Sequence, residues 1–290
     1  MSTYLFYNPL AGNGHCLEDV QLLEVLIDDD VVFVDMTKPD GWDTIFFSME
    51  PYDELILCGG DGTLNRFVNL VEEFDIPQEI LYFPSGTGND FAHDLGYRRN
   101  SNPFPVKEYI KQLPIVTVKG KKYRFLNGVE YGFDSYCCEV RDHLKVNTDK
   151  PVNYACIAVK RLLLRYKPTA ATVTVDETIH RYKKVWIAPT MHGRFCGGGM
   201  MPTPEQSRTA EPRQLSVMVL HDSDKLKTLM MFPSIFKGEH IKYRKNVDVF
   251  SGKRITVEFD RPTALQIDGE TILGVTSYTA EAYVREEARV

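Results

Sequence analysis

No stretch of this 290-residue chain approaches the roughly 18 continuous apolar residues that a spanning helix needs, so only peripheral membrane contact is expected. Residues 1–8 have neither a basic start nor a long apolar core, so no signal peptide is expected. The six cysteines, Cys16, Cys58, Cys137, Cys138, Cys156 and Cys196, form no Cys-x-x-Cys pair. That argues against a redox pair or a zinc ribbon and fits scattered reduced thiols in a cytoplasmic protein. No Gly-Lys-Ser/Thr loop occurs, which excludes an ordinary P-loop, and no third glycine follows Gly14 at the Rossmann spacing. A net charge of -6 argues against an extended nucleic-acid surface. Internal repeats and low-complexity stretches are absent too.

The chain is long enough for two domains, and 43% hydrophobic with 26% charged residues is ordinary for a globular protein. Strand-like segments at 4–7, 31–34, 55–58 and 80–83 alternate with helix-like segments at 17–27, 41–49 and 63–73. This order predicts a Rossmann-like α/β domain with a mostly parallel sheet over residues 1–118. From about residue 115 short strands follow one another, at 116–118, 123–128, 171–175, 184–188, 215–220, 254–259 and 264–267. They predict an antiparallel β-sandwich domain over 119–276, interrupted by helices near 135–146 and 153–165. The last strand-like segment, 276–284, suggests that residues 277–290 return to the first domain.

Three glycine-rich segments follow strands of the first domain, and in parallel sheets ligands bind beyond the carboxyl ends of the strands. Asn8-Pro9-Leu10-Ala11-Gly12-Asn13-Gly14 follows the first strand, Gly59-Gly60-Asp61-Gly62-Thr63-Leu64-Asn65 the third, and Ser85-Gly86-Thr87-Gly88-Asn89-Asp90 the fourth. Glycines allow close backbone approach, and free N–H groups beside a helix start make a seat for phosphate. Asp61 would repel phosphate unless a cation lies between them, which points to Mg2+-nucleotide chemistry. Two readings of each loop stay open at this level: a phosphate cradle, or a tight turn in which Asp61, Asn89 or Asp90 merely caps the next helix.

Taken together, these loops resemble the diacylglycerol kinase catalytic-domain superfamily, nearest to its small soluble bacterial lipid kinases. The resemblance continues through Asn127-Gly128, Gly132-Phe133-Asp134, Gly197-Gly198-Gly199-Met200 and Asp268-Gly269-Glu270, and so covers essentially the whole chain. It implies an α/β domain that binds ATP-Mg2+ and a β-sandwich domain forming the other wall of a cleft. It implies nucleotide contacts from Asn8, Pro9, Ala11, Gly12, Gly59, Gly60, Asp61, Gly62, Thr63, Asn65, Gly86, Thr87 and Asn89, with a short further match at Thr37. Asp61, Asp90 and Asp134 match acidic positions gathered around Mg2+ and ordered water, and Glu270 matches the general base.

A carboxylate beside glycine after the strand 264–267 is free to point into a cleft. The plainer reading is that Asp268-Gly269 is a hairpin turn and Glu270 a solvated surface residue. One departure stands out: where many bacterial members carry Asp-Gly-x-Leu, with the Asp helping to bind a structural metal, this chain has Glu211-Pro212-Arg213-Gln214-Leu215. Proline offers no ligand and Arg213 is a cation, which puts that metal in doubt.

Two apolar stretches have both a core and a lipid reading. Residues 153–165 end in Lys160, Arg161 and Arg165 and suit a core helix or an interfacial one, and the Met/Phe cluster at 229–236 suits a core or an acyl groove. His192, Cys196 and His221 lack metal-site spacing and read as structural.

The expected activity is an ATP- and Mg2+-dependent transfer of the γ-phosphoryl group to the hydroxyl of diacylglycerol or a related lipid alcohol. Such an enzyme would work in the cytoplasm or at the inner face of the membrane, and relatives include homodimers. Two alternatives remain: an NAD kinase-like enzyme with a soluble acceptor, for which the supporting Asn-Glu pair is absent from the chain, and an inactive nucleotide- or lipid-binding regulator.

Overall fold

The computed structural model describes residues 2–38, 41–71, 76–132 and 166–283. Asp134, Cys137, Cys138, Cys156 and the helices expected at 135–146 and 153–165 lie outside these residues. The chain divides into two compact units, Met1–Gln112 and Leu113–Val290.

In the first unit β1 (Ser2–Tyr7), α1 (Cys16–Glu24), β2 (Asp30–Asp35), α2 (Trp42–Ser48), β3 (Glu54–Gly59), α3 (Asp61–Leu70) and β4 (Glu79–Pro84) alternate. They are followed by α4 (Asp90–Asp94), β5 (Phe104–Pro105) and α5 (Lys107–Ile110). The sheet order is β2-β1-β3-β4-β5, parallel except for the short edge strand β5. Leu5, Ile56, Cys58 and Phe83 from the sheet pack on Cys16, Val20 and Leu23 of α1. These apolar positions recur at helical spacing in α1, which is why it lies on the sheet.

The second unit holds β6 (Ile115–Val118), β7 (Lys121–Arg124), β8 (Gly128–Tyr131), β9 (Thr169–Val175), β10 (Thr178–Ile187) and β11 (Thr190–Met191). It continues with β12 (Leu215–His221), α6 (Lys225–Ile235), β13 (Val247–Gly252), β14 (Arg254–Ile267) and β15 (Glu270–Glu281). All ten strands form one antiparallel sheet around a core that includes Val173, Val185, Val217, Val257 and Leu265. The sheet curls back on itself because β14 pairs with β8 through Leu265–Ile267 and with β9 through Ile255–Phe259.

Four expectations need correction. The segments at 254–259 and 264–267 are one strand, β14, running through Asp260-Arg261-Pro262. The pairing with β15 shifts register there, so the missing N–H of Pro262 costs no ladder bond. The strand expected at 123–128 is split, since Phe125, Leu126 and Asn127 form a connection between β7 and β8. Of the segment 277–290 expected to return to the first unit, residues 277–281 instead end β15, which pairs with β14 and β6 in the second sheet, and residues 284–290 lie outside the described residues. For the same reason β6 belongs to the second unit, and the division falls at 112 rather than 118.

Candidate active site

Register brings the loops of the first unit to one edge. Tyr7 is level with Asp35 of β2 and Cys58 of β3, and Gly59 is level with Pro84 of β4. The segments beginning at Asn8, Met36, Gly60 and Ser85 therefore leave the sheet side by side at the carboxyl ends of its parallel strands. The strand order reverses between β1 and β3, the position at which open α/β sheets bind ligands. There the Asn8 amide Nδ2 donates to Thr63 Oγ1 at 3.2 Å, joining the first loop to α3.

The second and third loops are in backbone contact. A Cβ on Gly86 would lie 2.3 Å from Gly60 Cα and 2.6 Å from Asn89 Oδ1. The Gly59 carbonyl accepts from the amides of Ser85 (3.0 Å) and Gly86 (3.1 Å) and from the Tyr82 hydroxyl (3.1 Å). Burial, reinforced by the Asp61 carboxylate, pushes the Tyr82 phenol well above its ordinary pKa, so it remains a donor. Gly86→Ala sets a new methyl against backbone that cannot swing aside. Urea denaturation should show a loss of about 1–3 kcal/mol, against roughly 1 kcal/mol for Gly14→Ala, which meets only an unfavourable backbone angle.

Asp61 opens α3, and its side chain crosses to the third loop. Oδ2 accepts the Asp90 amide at 2.8 Å and Oδ1 the Phe91 amide at 2.9 Å. Asp61 thus caps α4 from outside and ties the two loops together. The Asp61 and Gly62 amides, in the first turn of α3, have no intrahelical acceptor. With the glycine contact beside them, they can seat an anion. This edge suits a nucleotide phosphate chain: close backbone approach, first-turn amides, and a carboxylate beside them for a cation.

The other expected nucleotide residues divide. Pro9, Ala11 and Gly12 lie in the first loop, and Thr87 is exposed in the third. Thr37 is exposed after β2, with its hydroxyl on Asp35 Oδ1 at 2.7 Å. Asn89 is buried, and its Nδ2 donates to the carbonyls of Pro84 (3.3 Å) and Gly86 (2.8 Å), which shapes the loop from within. Asn65 is buried one turn into α3 and accepts from Asn69 on both its backbone and side-chain oxygens. Asp90 is buried at the start of α4. Beneath the loops, burial raises the pKa of the Cys16 and Cys58 thiols, and Cys16 Sγ lies 3.0 Å from Ser85 Oγ.

In the second unit, Ile267 pairs with Glu270 across the two-residue turn Asp268-Gly269. Both turn residues have positive φ, +44° at Asp268 and +102° at Gly269, as a tight hairpin with the right-handed twist of its strands requires. Asp268 is buried, and its carboxylate accepts the amides of Leu126, Asn127 (2.9 Å) and Gly128 (3.2 Å). The same loop is held from its other side. The buried Arg208 guanidinium donates to Leu126 O and Asn127 Oδ1, both at 3.1 Å, and His192 Nδ1 lies 3.0 Å from Leu126 O. Arg213 donates to the Arg208 carbonyl and pairs with Glu211 at 2.9 Å, which fixes the stretch that departs from the usual sequence. Glu270 itself is exposed, next to this pinned turn.

Both units match described families. Residues 2–116 match the diacylglycerol kinase catalytic domain, and residues 127–283 match the YegS C-terminal NAD kinase beta sandwich-like domain. The chain belongs to the diacylglycerol kinase catalytic-domain superfamily. Among relatives of this superfamily, a diacylglycerol kinase of Mycobacterium tuberculosis is 26% identical over 214 residues, 71% of this chain and 67% of its own. YtlR of Bacillus subtilis, whose name assigns it provisionally to the lipid kinases, is 24% identical over 246 residues, 77% of this chain and 75% of its own. A solved diacylglycerol kinase from Bacillus anthracis has the same fold, with a TM-score of 0.59 at 17% identity over 97% of this chain and 93% of that one. Family membership makes the protein a kinase.

His192 is structural, as its sequence context suggests, but the roles of Asp268 and Arg208 are not foreseen in the sequence. For Asp268 a signal existed: an Asp-Gly pair between two strands forces a positive φ and turns the Asp side chain back towards nearby amides. No local pattern marks Arg208, whose partners are more than 80 positions away.

Proposed function

We propose that the protein is an ATP- and Mg2+-dependent lipid kinase that transfers the γ-phosphoryl group to a hydroxyl of diacylglycerol or a related lipid alcohol. The observation that carries this reading is the tied pair of glycine loops at the carboxyl edge of the first sheet. Gly60 meets Gly86, and Asp61 spans from one loop to the other. The names of the relatives support a lipid as the acceptor.

The first-turn amides of α3 and the loops at Gly12, Gly60 and Gly86 hold the phosphates. Mg2+, when bound with ATP, supplies charge neutralisation. An ionised carboxylate has about four lone-pair sites, and the two amides on Asp61 use only two, so Asp61 can also hold the metal or its water. Thr87 donates to a phosphate oxygen. Asp134 is proposed to share in holding the metal through water. In the transfer, the acceptor hydroxyl oxygen bonds to the γ-phosphorus as the bond to the β–γ bridging oxygen breaks. ADP leaves, and Glu270 takes the hydroxyl proton.

Incubation with γ-labelled ATP and diacylglycerol in detergent micelles should yield labelled phosphatidic acid. Chelation of Mg2+ should lower that rate about 100-fold or more. Equal rates with chelator would remove the metal from the account, and labelling of NAD in place of the lipid would replace the acceptor.

A further inference from the structure

The helix α6 is apolar on both sides. Its inner face buries Thr228, Met231 and Ile235, the last two in a core cluster with Trp186, Met218 and Leu220. With 3.6 residues per turn, Leu226, Met230 and Pro233 fall on the opposite face. Leu226 is 66% exposed and Met230 65%. A surface helix ordinarily turns polar residues outward there. The stripe continues beyond the helix, where Phe236, Ile241 and Tyr243 are 46%, 37% and 41% exposed. The 3-10 turn Glu239–Lys242, which carries Ile241, packs against α6 and so adjoins the helix.

The charge around this surface runs against that of the whole chain. Residues 222–245 carry Lys225, Lys227, Lys237, Lys242, Arg244 and Lys245 against Asp222, Asp224 and Glu239, in a protein of net charge -6. A cleft of about 590 Å³ adjoins the patch, sharing Ile241 and Arg244 with it. Its lining sets Arg244 against the carboxylates of Glu205 and Asp248, so the cleft itself is not a seat for an anion and the basic border lies outside it.

We infer that this face docks onto an anionic phospholipid bilayer. Leu226, Met230 and Phe236 enter the headgroup boundary, and the surrounding lysines meet lipid phosphates. Charge complementarity selects this occupant. A second copy would bring cations against cations, whereas an anionic leaflet matches both the apolar stripe and its basic border. The inference rests on exposure and charge alone and holds whichever alcohol the enzyme phosphorylates.

Sedimentation of the full chain with vesicles tests it. The protein should bind vesicles of mixed phosphatidylcholine and phosphatidylglycerol, bind pure phosphatidylcholine far less, and release as salt is raised. The exposed pair Leu226→Ser and Met230→Ser should lower binding about tenfold, as should Lys237→Glu with Lys245→Glu. A Met230→Trp variant should shift its emission to the blue with anionic vesicles only. Equal binding to both vesicle types, absence of binding to either, or unchanged emission overturns the proposal. So would a dimer that the Leu226→Ser and Met230→Ser pair dissociates, which would make the face a contact between copies.

Discussion

Glu270→Gln leaves ATP binding intact and lowers phosphoryl transfer by about 100-fold or more. Glutamine keeps the size and hydrogen-bonding reach of the side chain but cannot accept a proton. The surroundings make this a specific expectation. Glu270 is exposed, but it stands one residue beyond a turn whose Asp268 carboxylate is anchored by three amides. A general base gains from such a mounting, because misplacement by about 1 Å can cost as much as 100-fold in rate. Transfer measured beside nucleotide titration separates the two effects. Unchanged turnover would return Glu270 to the status of a solvated hairpin residue.

Asp268→Ala should have the largest effect on stability. It leaves the amides of Leu126, Asn127 and Gly128 without their acceptor in a buried setting and removes the anion facing a loop that also receives the buried Arg208 guanidinium. A buried donor left unsatisfied costs about 1–3 kcal/mol, and three amides lose their acceptor here. We expect a loss of about 3–5 kcal/mol in urea denaturation. Asp268→Asn keeps one acceptor oxygen and should lose about half as much. Because the turn also carries Glu270, both variants should lose transfer activity beyond their loss of folded protein. A stability change within about 0.5 kcal/mol, the range of an ordinary surface substitution, would contradict the clamp.

The residues that could be read in advance share a property: their meaning is local. Gly59-Gly60-Asp61-Gly62 follows an apolar run of strand length, so the strand expected at 55–58 and the helix expected at 63–73 follow from neighbouring residues alone, and β3 (Glu54–Gly59) and α3 (Asp61–Leu70) lie within a few residues of them. The alternation of the first unit and its parallel sheet were legible for the same reason. What was not legible depends on residues far apart in the chain. β14 continues through Pro262 because its partner changes from β8 to β9 across that point, which no window around Pro262 contains. α6 went unrecognised because its outer face is apolar and Pro233 lies inside it, although Asp224 caps its start by accepting the Lys227 amide. The Met/Phe cluster read as core or acyl groove is divided by the helix itself, with Met231 and Ile235 inside and Met230 and Phe236 outside.

Asp61 shows the same limit within the site. Its motif marks it as a candidate partner for a metal beside phosphate, and it stands at the start of α3. Its two contacts, to the amides of Asp90 and Phe91, come from the other loop and give it a second task in binding the cradle together.

Phosphoryl transfer from ATP to a lipid can be followed in a single assay. The most direct measurement incubates the purified protein with γ-labelled ATP, Mg2+ and a total bacterial lipid extract, then partitions the label between organic solvent and water. Label should appear in the organic phase, reduced about 100-fold in the Glu270→Gln variant. Label that stays in the aqueous phase, on a soluble acceptor or on ATP that binds but is never consumed, would contradict transfer to a lipid.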